Sequence, residues 1–401
     1  MARHFSTKDF FRQMPNALLA RYFQARALFA DLDFSALKET QPDELFAAWL
    51  TVPDGQRHEI DAEFREIFDL SDENGFHAII DEADFHLGDD SDARQEFVEK
   101  LAALSNHFER AMVTFLDHKQ FWKGATLFHH ADQLPYWRKR KNLPRVQAAV
   151  DDASLQELAG LIRNYFHRTE GRGKNCVVEP FRRGELDYFF AYPEDYSQHC
   201  VEWVGEQFDR RPHNPAFEVI YVYSQKDGSL DLNFRGAKNA VIPLQEMFAT
   251  AILKLPELPA DPKDGRVYDL NPLRNKNFDF LYEVGNGIEE VAIKKLRLSS
   301  KVKKGERVTV EADGINDPGA IHAMLDDLAI PLHLYYITQV ELAASVVVNV
   351  NKPAKAVTIR ITHPNSCSLK YDEIDLKLRD MLITSGIEPR EPTEDLKAAE
   401  G

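Results

Sequence analysis

Residues Phe217–Arg235, FEVIYVYSQKDGSLDLNFR, constrain the fold most, because two runs of β-type residues flank an Asp227-Gly228 pair. Asp-Gly favours a tight hairpin turn, since glycine takes positive φ without steric cost. A two-residue loop would pair Tyr223 with Leu232 and Tyr221 with Phe234 on one apolar face. The opposite face carries Ile220 and Val222, but also Ser224, Asp231, Asn233 and Arg235. A strand apolar on both faces belongs inside a sheet, with a helix covering one side. The expectation is a central hairpin around which the rest of the chain packs.

Before it, residues 5–170 read as helices with caps and apolar spacing. Pro15 opens a helix bearing Leu18, Leu19, Tyr22 and Phe23; Ile60, Phe64, Ile67 and Phe68 share one side of a later helix. Asp151–Arg168, with Leu155, Leu158, Leu161, Ile162 and Phe166, closes the set. The glycine-containing linker at 169–175 then changes the period to strands, at Cys176–Phe181, Leu186–Tyr192 and His199–Val204. Ala240–Leu255 is helical and offers Leu244, Met247, Phe248 and Ile252 to the sheet.

After a second linker, Pro256–Pro262, come strands at Val291–Val302 and Arg307–Ala312 and a helix near Pro318–Leu328. Strands at Leu334–Val350 and Ala356–Thr362 and a helix over Tyr371–Thr384 complete a ββαββα order. The fold class is α+β: an N-terminal all-helical domain (1–170), then antiparallel β-hairpin sheets covered by helices. The sheet region divides into 171–258 and a module over 263–388, and the polar tail 389–401 reads as disordered.

The balance of 65 acidic against 49 basic residues, −16 overall, disfavours indiscriminate binding to nucleic acid or anionic membrane. No run is long and apolar enough for a spanning helix, and no secretory signal pattern opens the chain, so a cytoplasmic location is expected. Cys176, Cys200 and Cys367 are too widely spaced for a disulfide framework.

Against that background, Lys294–Arg307, KKLRLSSKVKKGER, holds seven basic residues and one acid, Glu306. Alternation puts Leu296, Leu298 and Val302 on a packed face, with Lys295, Arg297, Lys301 and Lys303 on the other. With Lys304 and Arg307 they form a row of cations that could follow a phosphate backbone. The competing explanation is an exposed sheet face kept soluble and unpaired by charge. A second cluster, Arg138, Lys139, Arg140 and Lys141, with Arg145 nearby, follows Tyr136-Trp137 and reads as a basic loop anchored by aromatics. Arg182-Arg183 and Arg210-Arg211 are two further basic pairs. If the four patches share a surface, the nucleic-acid reading gains; if they scatter, it loses.

Other chemistry is thinly supported. His77, Asp81, Glu82 and His86, His129-His130 with Asp132, and His118 lack a recognised metal spacing. There is no G-x-S-x-G elbow and no phosphate-binding glycine loop, while His363 and Cys367 flank a turn without a nucleophile signature. Glu179, Asp187 and Glu218 with Lys226 could meet near the sheet only through the fold. The acidic run Asp81–Glu99 reads as a solvated face.

The sequence implies no cofactor and no metal. It points to a non-enzymatic binding or regulatory protein that engages nucleic acid, or a partner already on it, through the basic hairpin. The alternatives are an assembly subunit docking through its helical domain, and a hydrolase or nuclease-like enzyme whose site forms only in the fold. An accessory part in bacterial defence is compatible with the chain, with no residue speaking for it.

Overall fold

The computed structural model describes residues 4–88, 90–260, 267–347 and 353–388. It is mixed α+β, with a helical N-terminal region. Two compact units are present. The first comprises the chain up to Gln133 with Phe181–Gly184 and Ser197–His213; the second comprises Leu134–Pro180, Glu185–Tyr196 and the chain from Asn214. The tail from 389 and the last two residues of the second linker, 261–262, lie outside the described residues.

The first unit is built on α1 (Thr7–Gln13), α2 (Asn16–Gln24), α3 (Asp43–Trp49), α4 (Asp54–Asp69), α5 (Glu73–Leu87), α6 (Ser91–Ala102), α7 (His107–Asp117) and α8 (Trp122–Gln133). Side chains of Ser6, Asp72, Asp90 and Asn106 cap α1, α5, α6 and α7 by accepting first-turn backbone N–H groups. Its core is aromatic: Phe10 stacks on Phe64 with centroids 4.7 Å apart, and Phe11, Tyr22, Phe23 and Trp49 close around them. Arg183, buried, donates to Asp81 at 2.7 Å and to Asp132 at 2.8 Å, so that two carboxylates of the same unit meet its charge.

The second unit runs β1 (Trp137–Arg140), α9 (Asp152–Glu170), β2 (Cys176–Arg183, whose end from Phe181 is counted with the first unit) and β3 (Leu186–Pro193). The ribbon β4 (Gln198–Val204) and β5 (Gln207–His213), which belongs to the first unit, interrupts it. It resumes with β6 (Val219–Ser224), β7 (Ser229–Phe234), α10 (Val241–Ala251), β8 (Ile288–Ser300), β9 (Arg307–Glu311) and α11 (Ala320–Asp327). The last elements are β10 (Tyr335–Val346), β11 (Lys355–Thr362), β12 (Ser366–Cys367) and α12 (Glu373–Thr384). Ten strands form one sheet in the order β2-β3-β6-β7-β1-β12-β11-β10-β8-β9. Strands from both 171–258 and 263–388 enter it, and β1 is the seam, antiparallel to β7 on one side and to β12 on the other.

The opening hairpin is interior and buried on both faces, as its pattern demands. Its register differs from the sequence expectation by two residues. Tyr221 pairs with Leu232 and Tyr223 with Leu230, so that Ser224 meets Ser229 across a four-residue turn, Gln225–Gly228. A slip of two preserves each side chain's face, so the apolar faces are those the alternation predicts. The longer turn is held by Ser224 Oγ, which accepts from Asp227 N at 3.1 Å. Gly228 has φ +59°, and a Cβ there would sit 2.3 Å from the Leu143 carbonyl, so both backbone angle and space require glycine.

One face of this half of the sheet carries Phe189, Tyr221, Tyr223, Leu230 and Leu232 under α9 and α10. Phe248 of α10 stacks on Tyr221 at 5.0 Å and meets Phe189 at 5.2 Å. On the opposite face Tyr188, Val222, Asp231 and Lys139 stand in one cross-strand row. That face continues through Trp137 and Cys367 into the core of the other half, where Leu296, Leu298, Val340 and Ile361 pack with Ile321 of α11 and Leu378 and Leu382 of α12. Among the described residues no helix is long and apolar enough to cross a membrane.

Candidate functional site

The basic hairpin forms as β8 and β9, but its cations divide into two groups. On the strands, Lys295 lies opposite Glu311 and its Nζ is 3.0 Å from that carboxylate and 3.9 Å from Glu341. Arg297 donates to Gln339 Oε1 at 3.1 Å, and Arg360 pairs with Glu341 at 3.2 Å. This sheet face is a ladder of alternating charges, in which the cations are met by carboxylates and an amide. Glu311's carboxyl is held below its usual range by the hydrogen bond from Lys295.

Beyond Ser300 the chain leaves the strand, so the alternation expected through Val302 stops. Val302 is 71% exposed instead of packed, because no element covers the turn. Lys301, Lys303, Lys304 and Arg307 are exposed there. Lys301 Nζ donates to the His333 carbonyl at 2.8 Å and lies 4.7 Å from the ring centroid of the exposed Tyr336. Lys303 is 3.4 Å from Glu306, whose carboxyl is lowered first by a hydrogen bond from Tyr335.

The second cluster is not a loop. Arg138, Lys139 and Arg140 lie in β1, and Lys139 and Arg140 are buried in mid-sheet, with Lys141 half-buried just beyond. Lys139 and Lys141 reach Glu388 at 3.0 and 3.3 Å. Arg140 points to the opposite face, where its guanidinium binds the Pro259 carbonyl and reaches Gln245 of α10 at 3.5 Å. In the first unit Arg183 is buried, while Arg210 and Arg211 lie exposed on β5.

Glu82, expected on a solvated face, is buried; its carboxyl is raised by desolvation and it holds His86 at 3.0 Å. Gly124 leaves the room Glu82 occupies, since a Cβ there would lie 2.1 Å from its carboxyl carbon. Among the described residues no group of three or more His, Cys, Asp or Glu is placed to hold a metal ion. Cys367 is buried in β12 and its thiol is pushed up by burial; Cys176 is pushed up to about 12 for the same reason.

A cleft of about 660 Å³ opens beside α12, on the face that carries Lys139 and Asp231. Leu376, Arg379, Asp380 and Ile383 line it from α12, at the i, i+3, i+4, i+7 spacing that defines one helix face. Tyr371 donates its hydroxyl hydrogen bond to Asp231, and Arg379 stacks 4.4 Å from the Tyr371 ring. Arg379 gives Nε to the Lys370 carbonyl at 2.9 Å and Nη2 to the Leu369 carbonyl at 2.6 Å. Glu388 is 1% exposed, and its carboxyl is lowered by Lys139 and Lys141 against the opposing cost of burial. Of Glu179, Asp187, Glu218 and Lys226, Lys226 alone lines the cleft.

Sequence reasoning named Lys139 and Lys141 but missed Asp231, Tyr371, Arg379 and Glu388 as their companions. The available signal was Arg379 itself, a cation that shares a helix face with Leu376 and Ile383 as well as Asp380. No family model matches the chain, and no curated protein matches it in sequence.

Proposed function

We propose that the protein binds nucleic acid in its single-stranded form, through the turn of the β8–β9 hairpin. The observation that carries this reading is the exposed set Lys301, Lys303, Lys304 and Arg307 beside the exposed Tyr336, with Glu306 as the one carboxylate in the turn. Cations that track phosphates, with an aromatic face on which a base can stack, are the usual means of gripping a single strand. Lys295 and Arg297 do not join the surface, because Glu311, Glu341 and Gln339 already engage them. Arg138, Lys139, Arg140 and Lys141 do not join it either.

The test is fluorescence anisotropy of labelled single- and double-stranded DNA and RNA across a salt series. The expected result is binding at low salt that weakens as salt rises and is lost when Lys301, Lys303 and Lys304 are all changed to Glu. Absence of binding at low salt, where attraction between charges is least screened, rejects the reading.

A second reading, docking of a partner chain on the first unit, is favoured by the ribbon β4–β5. There Trp203 and Phe208 face each other at 5.6 Å while remaining 67% and 53% exposed. A partner held there would cross-link to the wild-type chain in cell extract and be lost from the Trp203→Ser, Phe208→Ser variant with unchanged helix content. An identical cross-link pattern from the variant would exclude this surface.

A further inference from the structure

We propose that the cleft beside α12 is a binding site for a small anionic molecule, whose phosphate or carboxylate group seats among Arg379, Lys139 and Lys141. Its apolar part would lie against Leu376, Ile383 and Val222. This site is separate from the hairpin turn and independent of what that turn binds.

Three observations carry the inference. The first is size and lining. The volume of about 660 Å³ falls in the range, roughly 300–1,000 Å³, of sites that enclose small ligands. Leu186, Val222, Leu376 and Ile383 give it an apolar wall, and most of the remaining lining is polar or charged, which suits a ligand that is itself charged.

The second is the balance of charge. Five cations and four carboxylates line the cleft, and three of the carboxylates are engaged: Glu388 with Lys139 and Lys141, Asp231 with Tyr371, and Asp227 with Ser224. A cation would therefore have to displace an existing partner at each of these. Arg379, 5% exposed, spends Nε and Nη2 on two neutral carbonyls, and its Nη1 has no hydrogen-bond partner among the described residues. A buried charged donor left unmatched is costly, so it calls for an acceptor that the described residues do not supply.

The third is Glu388. Its carboxylate, almost wholly buried between two lysines, demonstrates that this corner of the cleft accepts an anion. Its Oε2 has no hydrogen-bond partner among the described residues, so the internal acid uses the seat incompletely. A ligand anion would compete with Glu388 for Lys139 and Lys141 and gain Arg379 besides. Arg145 and Lys226, both exposed and both lining the cleft, would draw anions toward it.

Calorimetric titration of the full chain with inorganic phosphate, pyrophosphate and citrate, at constant ionic strength set by chloride, tests the proposal. The expected result is saturable binding of at least one probe, with the tetrahedral and planar anions separating a phosphate from a carboxylate seat. Lys141→Gln should weaken it about tenfold, the worth of one charge-assisted contact. Glu388→Gln should tighten it by a similar factor, because it removes the internal competitor. Arg379 also ties down two backbone carbonyls, so Lys226→Gln, at an exposed position, serves as the variant that leaves the core intact; it should weaken binding modestly. The Lys301→Glu, Lys303→Glu, Lys304→Glu variant should bind the probes as wild type does, which separates this site from the hairpin turn. Failure of all three probes to saturate both wild type and Glu388→Gln overturns the proposal, as does binding indifferent to Lys141→Gln.

Discussion

Asp375 stands in the first turn of α12, and its carboxyl is pushed up to about 6, by burial first and then by the neighbouring Asp372. The folded chain therefore holds this proton more tightly than the unfolded chain, whose value is near 3.8. Folded molecules bind more protons between those values, so this group's contribution to stability falls as pH rises from about 4 through about 6 and stays low above. Asp375→Asn removes the charge and keeps an oxygen to accept the Lys370 N–H, now bonded at 2.6 Å. We expect it to stabilise the protein by about 1–3 kcal/mol at pH 7.5, and by little at pH 4.5. Urea unfolding at the two pH values checks this; an equal effect at both would show that Asp375 is not buried as a charge. None of this was legible locally. Asp375 reads as an ordinary acid near a helix start, and what makes it costly is the surrounding packing. The same holds for Lys139, whose partner Glu388 comes from the far end of the sequence.

Elements were legible where periodicity and caps agree. The sequence placed strands and helices of the ββαββα stretch close to β8, β9, α11, β10, β11 and α12. It could not place β1. A four-residue run of Trp-Arg-Lys-Arg shows no apolar alternation, because both faces of this strand receive charge that distant elements satisfy. Nor could it fix the hairpin register, since the Asp-Gly signal names a turn without its length. Which helix covers the central strands was readable from Leu244, Phe248 and Ile252, and all three enter that core. Phe248 is fully buried against three aromatic rings of the sheet, so Phe248→Ala should cost about 3–5 kcal/mol through lost burial and the cavity left behind. Met247, partly buried at the margin of the cluster, should cost clearly less when changed to Ala. Denaturant midpoints of the two variants compare them directly; equal losses would mean that α10 does not seat on the sheet through Phe248.

On the scale of the whole molecule, net charge and its placement pull in opposite directions. A chain at −16 repels polyanions at long range, whereas the β8–β9 turn offers four cations against one carboxylate. Sequence gave the cations without their partners, and partners decide how many can be spent on phosphate. The salt dependence of binding counts them, because each neutralised phosphate on a single strand contributes about −0.7 to the slope of log K against log salt. If the turn acts alone, its four cations set a slope no steeper than about −3. If the six cations of the hairpin row and the four of Arg138–Lys141 all took part, the slope would approach about −7. We expect the shallower value, unchanged in Lys295→Gln, since Lys295 is already committed to Glu311 and Glu341. A slope well beyond −3 would mean that the strand lysines leave their carboxylates for phosphate. The charge ladder on that sheet face would then be a closed form of a wider binding surface.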